Sequence, residues 1–296
     1  MFGWHPIEDM INGIRDFLFE IFKNGTENIL NLITEFFQKS VDTVQQNVSE
    51  TPTEFSQTIV DNLRAVSDTA ILPVAGLILT YVFVYELYQM VTEKNKGGDY
   101  DVGEMMFLIF KTAGMIILLT NSFDITLAVF DLGKWITDKI PASALTIPQS
   151  VTENILGSIP DGEVGYALTM WLVAGIALII TFVMSGIIYL VAWSRIVTVM
   201  LYVSVAPIPY ATLLNKDWIG SIGQSYVKNL LALMLQGYFM IVCLIIYSGL
   251  LEKASSLITT EGSGLYGLML MLVSMGIVVV TLTRTHSLAK SVVGVI

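Results

Sequence analysis

The chain has 296 residues, 54% apolar and only 14% charged, with a mean hydropathy of +0.70 and a net charge of −10. Soluble domains carry about 25% charged residues, so the composition argues against a soluble enzyme, a disordered chain and a basic nucleic-acid binder, and leaves an integral membrane protein whose exposed parts are acidic. One cysteine, Cys243, leaves no intramolecular disulfide framework and no cysteine-rich metal site.

Residues 1–68 read as an amphipathic extramembrane helical region. Ile7, Met10, Ile11, Ile14, Phe17, Leu18 and Ile21 recur at helical spacing, with Glu8, Asp9, Asn12, Arg15, Asp16 and Glu20 largely on the other side. Asn24-Gly25 predicts a break, with Thr26 or Asn28 capping a second helix. Its apolar stripe runs through Ile29, Leu32, Ile33, Phe36, Phe37, Val41 and Val44, and Ser49–Thr53, with Pro52, predicts its end. Four basic residues against eleven acidic ones give this region −7. It therefore lacks the basic polar face of a helix built for anionic lipid. Two readings stand beside direct lipid anchoring. One is a helical hairpin packed on the membrane domain. The other is an apolar face, carried by Ile7, Ile11, Ile14, Leu18, Ile21, Phe36 and Phe37, that meets identical subunits or a partner. No Lys or Arg precedes Arg15, so the start lacks a secretory signal pattern and insertion is expected to use the span near residue 70 as an uncleaved anchor.

A helix needs about 20 apolar residues to cross a hydrocarbon core of about 30 Å, and its backbone groups must pair internally there. Five charge-free runs meet this: Thr69–Tyr85, continuing past Glu86 to Val91, then Tyr166–Ser194, Ile196–Asn215, Asn229–Leu251 and Gly262–Thr283. A sixth, Met105–Phe130, is apolar but holds Lys111, Asn121 and Asp124, and could cross, re-enter or lie in the interface. The expected fold is all-α, polytopic, with five or six transmembrane helices. It divides into the N-terminal region, 69–130 with the first span and the second apolar segment, a polar loop 131–165 with Pro141, Pro148 and Pro160, and a C-terminal bundle 166–296. Lys and Arg near span ends put 215–228 and the C-terminus in the cytoplasm with either span count. The N-terminus falls inside with six spans and outside with five.

Polar residues at membrane depth mark function because burying them is costly. Glu86 falls near a span end, where a snorkelling carboxylate is the plain reading. Lys111 sits six residues into its run and could reach an interface. Gln236 lies deep in its span, as a helix-to-helix hydrogen bond or a pore-lining group. Arg195 separates two apolar runs, as a turn or as a fixed charge at a pore mouth. Pro207 and Pro209 interrupt 196–215, each removing a backbone donor and disfavouring helix at the residue before it. With Ala206 they form a kink that is either a pore element or purely structural. His5 and His286 stand far apart and outside any HExxH pattern. There is no GxxxxGK[ST], no GxSxG and no GxxxG. No catalytic site, metal site or cofactor is expected.

The stretch Trp193–Leu251 adds more. A basic residue, Arg195, opens a span that ends in Ala206-Pro207-Ile208. A short polar loop with an aromatic follows, holding Lys216, Trp218 and Lys228, and then the apolar helix 229–251. This resembles the core of the TrbL-like polytopic subunits of conjugative type IV secretion systems, in the variant carried by conjugative elements of Gram-positive bacteria. The resemblance covers 130–296, with 1–70 matching only in layout. It implies a multi-pass protein of the bacterial cytoplasmic membrane that assembles as a homo-oligomeric ring beside a transfer ATPase and a bitopic scaffold protein. Such a ring touches membrane lipid, and its contact with the DNA–protein cargo is transient. It further implies an N-terminus and central loop outside. The competing reading, from the broken helix, is a small-molecule transporter or permease subunit.

Overall fold

The computed structural model describes residues 6–94, 102–140, 150–215, 217, 219–261 and 264–295. His5, Pro141, Pro148, Lys216 and Trp218 lie outside them. Every regular element among the described residues is helical: α1 (Pro6–Ser49), α2 (Pro52–Phe55), α3 (Gln57–Val66), a π-helical turn (Ser67–Ile71), α4 (Leu72–Lys94), α5 (Val102–Thr120), α6 (Ser122–Thr137), α7 (Ser150–Gly157), α8 (Val164–Ser204), α9 (Pro207–Thr212), α10 (Gly220–Glu261) and α11 (Gly264–Val293). Five segments are long and apolar enough to cross a membrane: Gln57–Thr92, Gly103–Thr120, Val164–Ser204, Gly220–Leu257 and Gly264–Val293. The all-α membrane fold stands, with five candidate spans among the described residues that do not coincide with the five charge-free runs.

Four boundaries differ from the sequence reading, each for a local reason. Asn24-Gly25 does not break the first helix. Gly25 is where the indole of Trp171 packs: a Cβ there would lie 2.8 Å from both Cδ1 and Nε1. Thr26 caps nothing; its hydroxyl donates to the Phe22 carbonyl one turn back at 2.8 Å. The helix that carries the first span does not begin at 69, because α3, the π-turn and α4 run on without a gap from Gln57. The segment 105–130 is two helices. They meet at Asn121, whose backbone leaves the helical region (φ −103°, ψ 9°) while its N–H and its side-chain amide both donate to the Ile117 carbonyl, at 3.2 and 2.8 Å. Finally, Arg195 marks no turn. The runs 166–194 and 196–215 share the 41-residue α8, and the chain turns at Val205–Ala206 instead.

The chain forms two compact units of discontinuous segments, 1–46 with 140–192 and 240–284, and 47–139 with 193–239 and 285–296. In the first unit α1 runs beside α8, with Phe22 against Trp171 at 5.9 Å and Phe36 against Phe182 at 6.1 Å between ring centroids. Phe37 packs on Tyr247 of α10 at 5.1 Å. The inward row of α1 is Leu30, Ile33, Phe37, Val41 and Val44, all buried, at the i, i+3, i+4 spacing that places residues on one helix face. The short α7 is held to α10 by Asn154, whose amide donates to the Ser255 hydroxyl at 2.8 Å.

In the second unit a capping box starts α2. Glu54 N–H donates to the Thr51 hydroxyl at 3.3 Å, and Thr51 N–H donates to the Glu54 carboxylate at 2.9 Å, with Pro52 at the first helical position. Two ion pairs then tie this stretch to α6: Glu54 with Lys134, and Arg64 with Asp124, where Arg64 Nη1 donates to Oδ2 at 3.1 Å. Val60 of α3 and Phe123, Leu127 and Phe130 of α6 join the apolar core of this unit.

Lys134 and the Thr51 N–H hold the Glu54 carboxyl below its ordinary range, and Arg64 does the same for Asp124. A carboxyl depressed in the folded state contributes stability above its unfolded pKa, about 4, and that contribution is lost as pH falls through the folded value. The stability difference in detergent between the wild type and the Glu54→Gln/Asp124→Asn variant should therefore be present at pH 7 and shrink below about pH 4. Both carboxylates are about half exposed, so high salt should also shrink it. A difference constant from pH 7 to 3 would mean that the pairs do not tie α2–α3 to α6.

Candidate functional site

The second unit gathers several polar residues that stand apart in sequence around the turn from Ala206 to Gly220. Pro207 opens α9, where its missing N–H is no loss. Ala206, just before it, is nonetheless helical in backbone (φ −47°, ψ −43°), against the preference of a pre-proline residue. Ala206 N–H donates to the Val203 carbonyl at 3.3 Å, Ile208 N–H to Val205 at 3.2 Å and Tyr210 N–H to Ala206 at 3.3 Å, so the backbone stays paired through the kink. Ala206, Pro207, Pro209, Tyr210, Ala211 and Thr212 are all buried, packed by α4, α5 and α6. The kink is thus an interior element enclosed by protein, the condition under which broken helices are tolerated at membrane depth.

The turn after α9 is fixed from two sides. The Lys111 ammonium donates to the Leu214 carbonyl. The Asn215 side-chain amide donates to the Glu86 carboxylate at 2.7 Å, Asp217 N–H donates to Asn215 Oδ1 at 2.8 Å, and Gln89 Nε2 donates to Asp217 Oδ2 at 3.0 Å. Two of the polar residues singled out in the sequence, Lys111 and Glu86, therefore meet at one turn, 103 and 129 residues away from their partners there. Gly220 and Gly223 complete the fit. A Cβ at Gly220 would lie 2.0 Å from the Asn215 carbonyl oxygen, and one at Gly223 2.6 Å from that of Pro209. Tyr226 stacks on Tyr202 at 5.5 Å and donates from its hydroxyl to the Tyr202 carbonyl at 2.7 Å. Tyr210 meets the same ring edge-on at 5.7 Å. A notch of about 480 Å³ opens beside the kink, lined in part by Val205, Pro209, Ser225 and Asn229. The sequence reading missed Asn215, Gln89, Asp217 and the tyrosine trio. The i, i+3 glycine pair at a helix start was the available signal.

Arg195 is 8% exposed. Its Nη1 donates to the Asn47 carbonyl at 3.1 Å, in the last turn of α1. That turn holds no basic residue of its own, and a cation there suits the helix dipole. Gly237 leaves the space: a Cβ would sit 2.7 Å from Nη2. Gln236 Oε1 and His286 Nδ1 lie 3.3 Å apart, between α10 and α11. Lys228 is exposed on α10. At the N-terminus Ile7, Ile11, Ile14, Leu18 and Ile21 form an exposed stripe, with Ile7 69% exposed, and Phe36 lies further along the same face of α1. Phe37 does not belong with them. It is fully buried on another face of α1, because the shift of one residue turns it through about 100° onto Tyr247. Among the described residues no group of three or more His, Cys, Asp or Glu could hold a metal ion.

A buried broken helix clasped by polar turns, in a chain with five candidate spans, is joined by one comparison: the family model described as TrbL/VirB6 plasmid conjugal transfer like protein matches residues 37–207. The chain belongs to this family. It is accordingly a conjugal transfer protein of the inner membrane, a component of a transfer apparatus with other subunits. The match runs from the last third of α1 to Pro207, so it begins and ends earlier than the stretch 130–296 on which the sequence resemblance was drawn. The loop and helix after Pro207 lie past its end. No curated protein and no solved structure matches the chain.

Proposed function

We propose that the chain is a non-enzymatic channel or assembly subunit of a conjugative type IV secretion machine, and that it oligomerises in the membrane to form or support the path of the DNA–protein cargo. The family match over 37–207 carries this reading. The exposed stripe Ile7–Ile21 supports oligomerisation, because a row of large apolar side chains on a helix otherwise rich in carboxylates is an interaction surface when left uncovered. In this reading Ala206, Pro207 and Pro209, with Lys111 and Glu86, shape the membrane part of the path. Arg195 and Gln236 join helices beside it, and Lys216, Trp218 and Lys228 face the cytoplasmic partners, the transfer ATPase and the bitopic scaffold protein among them. In-frame deletion in a donor cell should abolish plasmid transfer with growth unchanged, and transfer should return with the gene supplied in trans. Wild-type transfer from the deletion strain would overturn the proposal.

A further inference from the structure

The membrane level of the first unit can be read from α11. Its charge-free part runs Gly264–Thr283, ahead of Arg284, and is about 30 Å long, the thickness of a hydrocarbon core. Thr181 donates to the Met275 sulfur at 3.8 Å, and Met184 packs over Gly276, so residues 181–184 of α8 lie level with the middle of that run. The helix α1 is registered on α8 in turn, through Phe22 on Trp171 and Phe36 on Phe182. Residues of α1 from about Phe22 to about Asp42 therefore share the depth of the charge-free parts of α8 and α11.

At that depth α1 has three faces, sorted by its turn of about 100° per residue. The inward face holds Leu30, Ile33 and Phe37. A second face, with Leu32 and Phe36 exposed by 41% and 37%, continues the apolar stripe. The third holds Glu27, Asn31, Thr34, Glu35, Gln38 and Asp42, which with Thr152 and Glu153 of α7 border an open groove of about 710 Å³. Lys39 pairs with Glu35 at 2.6 Å, and the Gln38 amide donates to Asp42 at 2.7 Å. Hydrocarbon cannot cover such a face, and ionisable groups at this depth turn to a water-filled cavity.

We propose that the polar face of α1 lines a water-filled path through the membrane, so that α1 is part of the wall of the conduit and its stretch from about Phe22 to about Asp42 is not extramembrane. The inference rests on the channel reading given above and assigns its inner surface. Carboxylates outnumber the one lysine there, so the wall attracts hydrated cations and repels polyanions, which keeps an anionic cargo from adhering to it.

The test uses the full chain in native membrane vesicles with Cys243→Ala as background. Asn31→Cys and Gln38→Cys report the polar face, and Leu32→Cys and Phe36→Cys the apolar one. Each variant is first required to show the wild-type size profile in detergent. Membrane-impermeant methanethiosulfonates of opposite charge are the probes. Positions 31 and 38 should react while 32 and 36 stay unmodified, and the cationic reagent should react about tenfold faster than the anionic one, as steering by like-signed walls gives. Reaction at all four positions would place α1 outside the membrane and overturn the proposal. Reaction at none would mean that protein covers the polar face, and would overturn it too. The deletion assay fails separately: an alternating pattern in a chain dispensable for transfer sinks the channel reading alone, and transfer that needs the chain without the alternation sinks the wall alone.

Discussion

Gly220→Ala should cost this protein more than an ordinary overpacked core substitution. A Cβ at position 220 would sit 2.0 Å from the Asn215 carbonyl oxygen, a backbone atom with no rotamer to change. Nor can the backbone yield cheaply, because the turn that carries it is held by Lys111 at Leu214 and by Glu86 at Asn215. Adding a methylene to a packed interior typically costs about 1–3 kcal/mol, and here the expected loss is about 3 kcal/mol or more. Recovery of monodisperse protein should fall sharply and the melting temperature in detergent should drop. Gly249→Ala is the control. Nothing lies within 4 Å of a Cβ there, and the site is inside α10, where alanine is favoured over glycine by roughly 0.5–1 kcal/mol. If Gly220→Ala melts as high as Gly249→Ala, α10 does not start against the turn as described.

The second large effect is expected at Arg195. Arg195→Ala removes the guanidinium that donates to the Asn47 carbonyl and empties the space beside Gly237 and Val48. A lost donor to a buried acceptor costs about 1–3 kcal/mol, and truncating a large buried side chain adds a cavity, so a loss of about 2–4 kcal/mol is expected. Gly237→Ala attacks the same contact from the other side, because its Cβ would meet Nη2 at 2.7 Å and Val48 Cγ1 at 3.2 Å. Residues sharing one contact couple. The double variant should therefore be better than the sum of the two losses by about 1 kcal/mol or more. Strict additivity of the melting data would show that Arg195 does not bind the end of α1 over Gly237.

The membrane class was legible because missing charge is a property of composition, and it survives any error in boundaries. The number of spans survived for a different reason. Two errors cancelled: Arg195 divided one helix into two, and 105–130 joined a span to a helix that is not one. The first came from letting one charged residue decide, and the second from a segment that Lys111, Asn121 and Asp124 left open between crossing, re-entering and lying in the interface. Arg195 is accommodated deep in the fold by a carbonyl 148 residues away in sequence, which no local window shows. At Asn121 the decisive fact is one residue whose backbone leaves helical geometry. Of the candidate site, the residue types were visible and their grouping was not. Lys111 and Glu86 stood out as polar groups in apolar runs, yet their meeting at the Leu214–Asn215 turn depends on how α4 and α5 pack on α9. Gly25 was misread because a glycine in a helix sequence looks the same whether it ends the helix or admits a neighbour.

That glycine has a mechanical consequence. A smooth helix lying in a groove can roll about its own axis at little cost, and its faces then have no fixed address. The indole of Trp171 seated on Gly25 works as a key in a slot. Rolling α1 by one residue in either direction would bring Asn24 or Thr26 under the ring, and neither leaves room for it. The azimuth of a 44-residue rod is thereby indexed at one point, and every carboxylate and every isoleucine along it inherits a compass bearing from a residue that has no side chain.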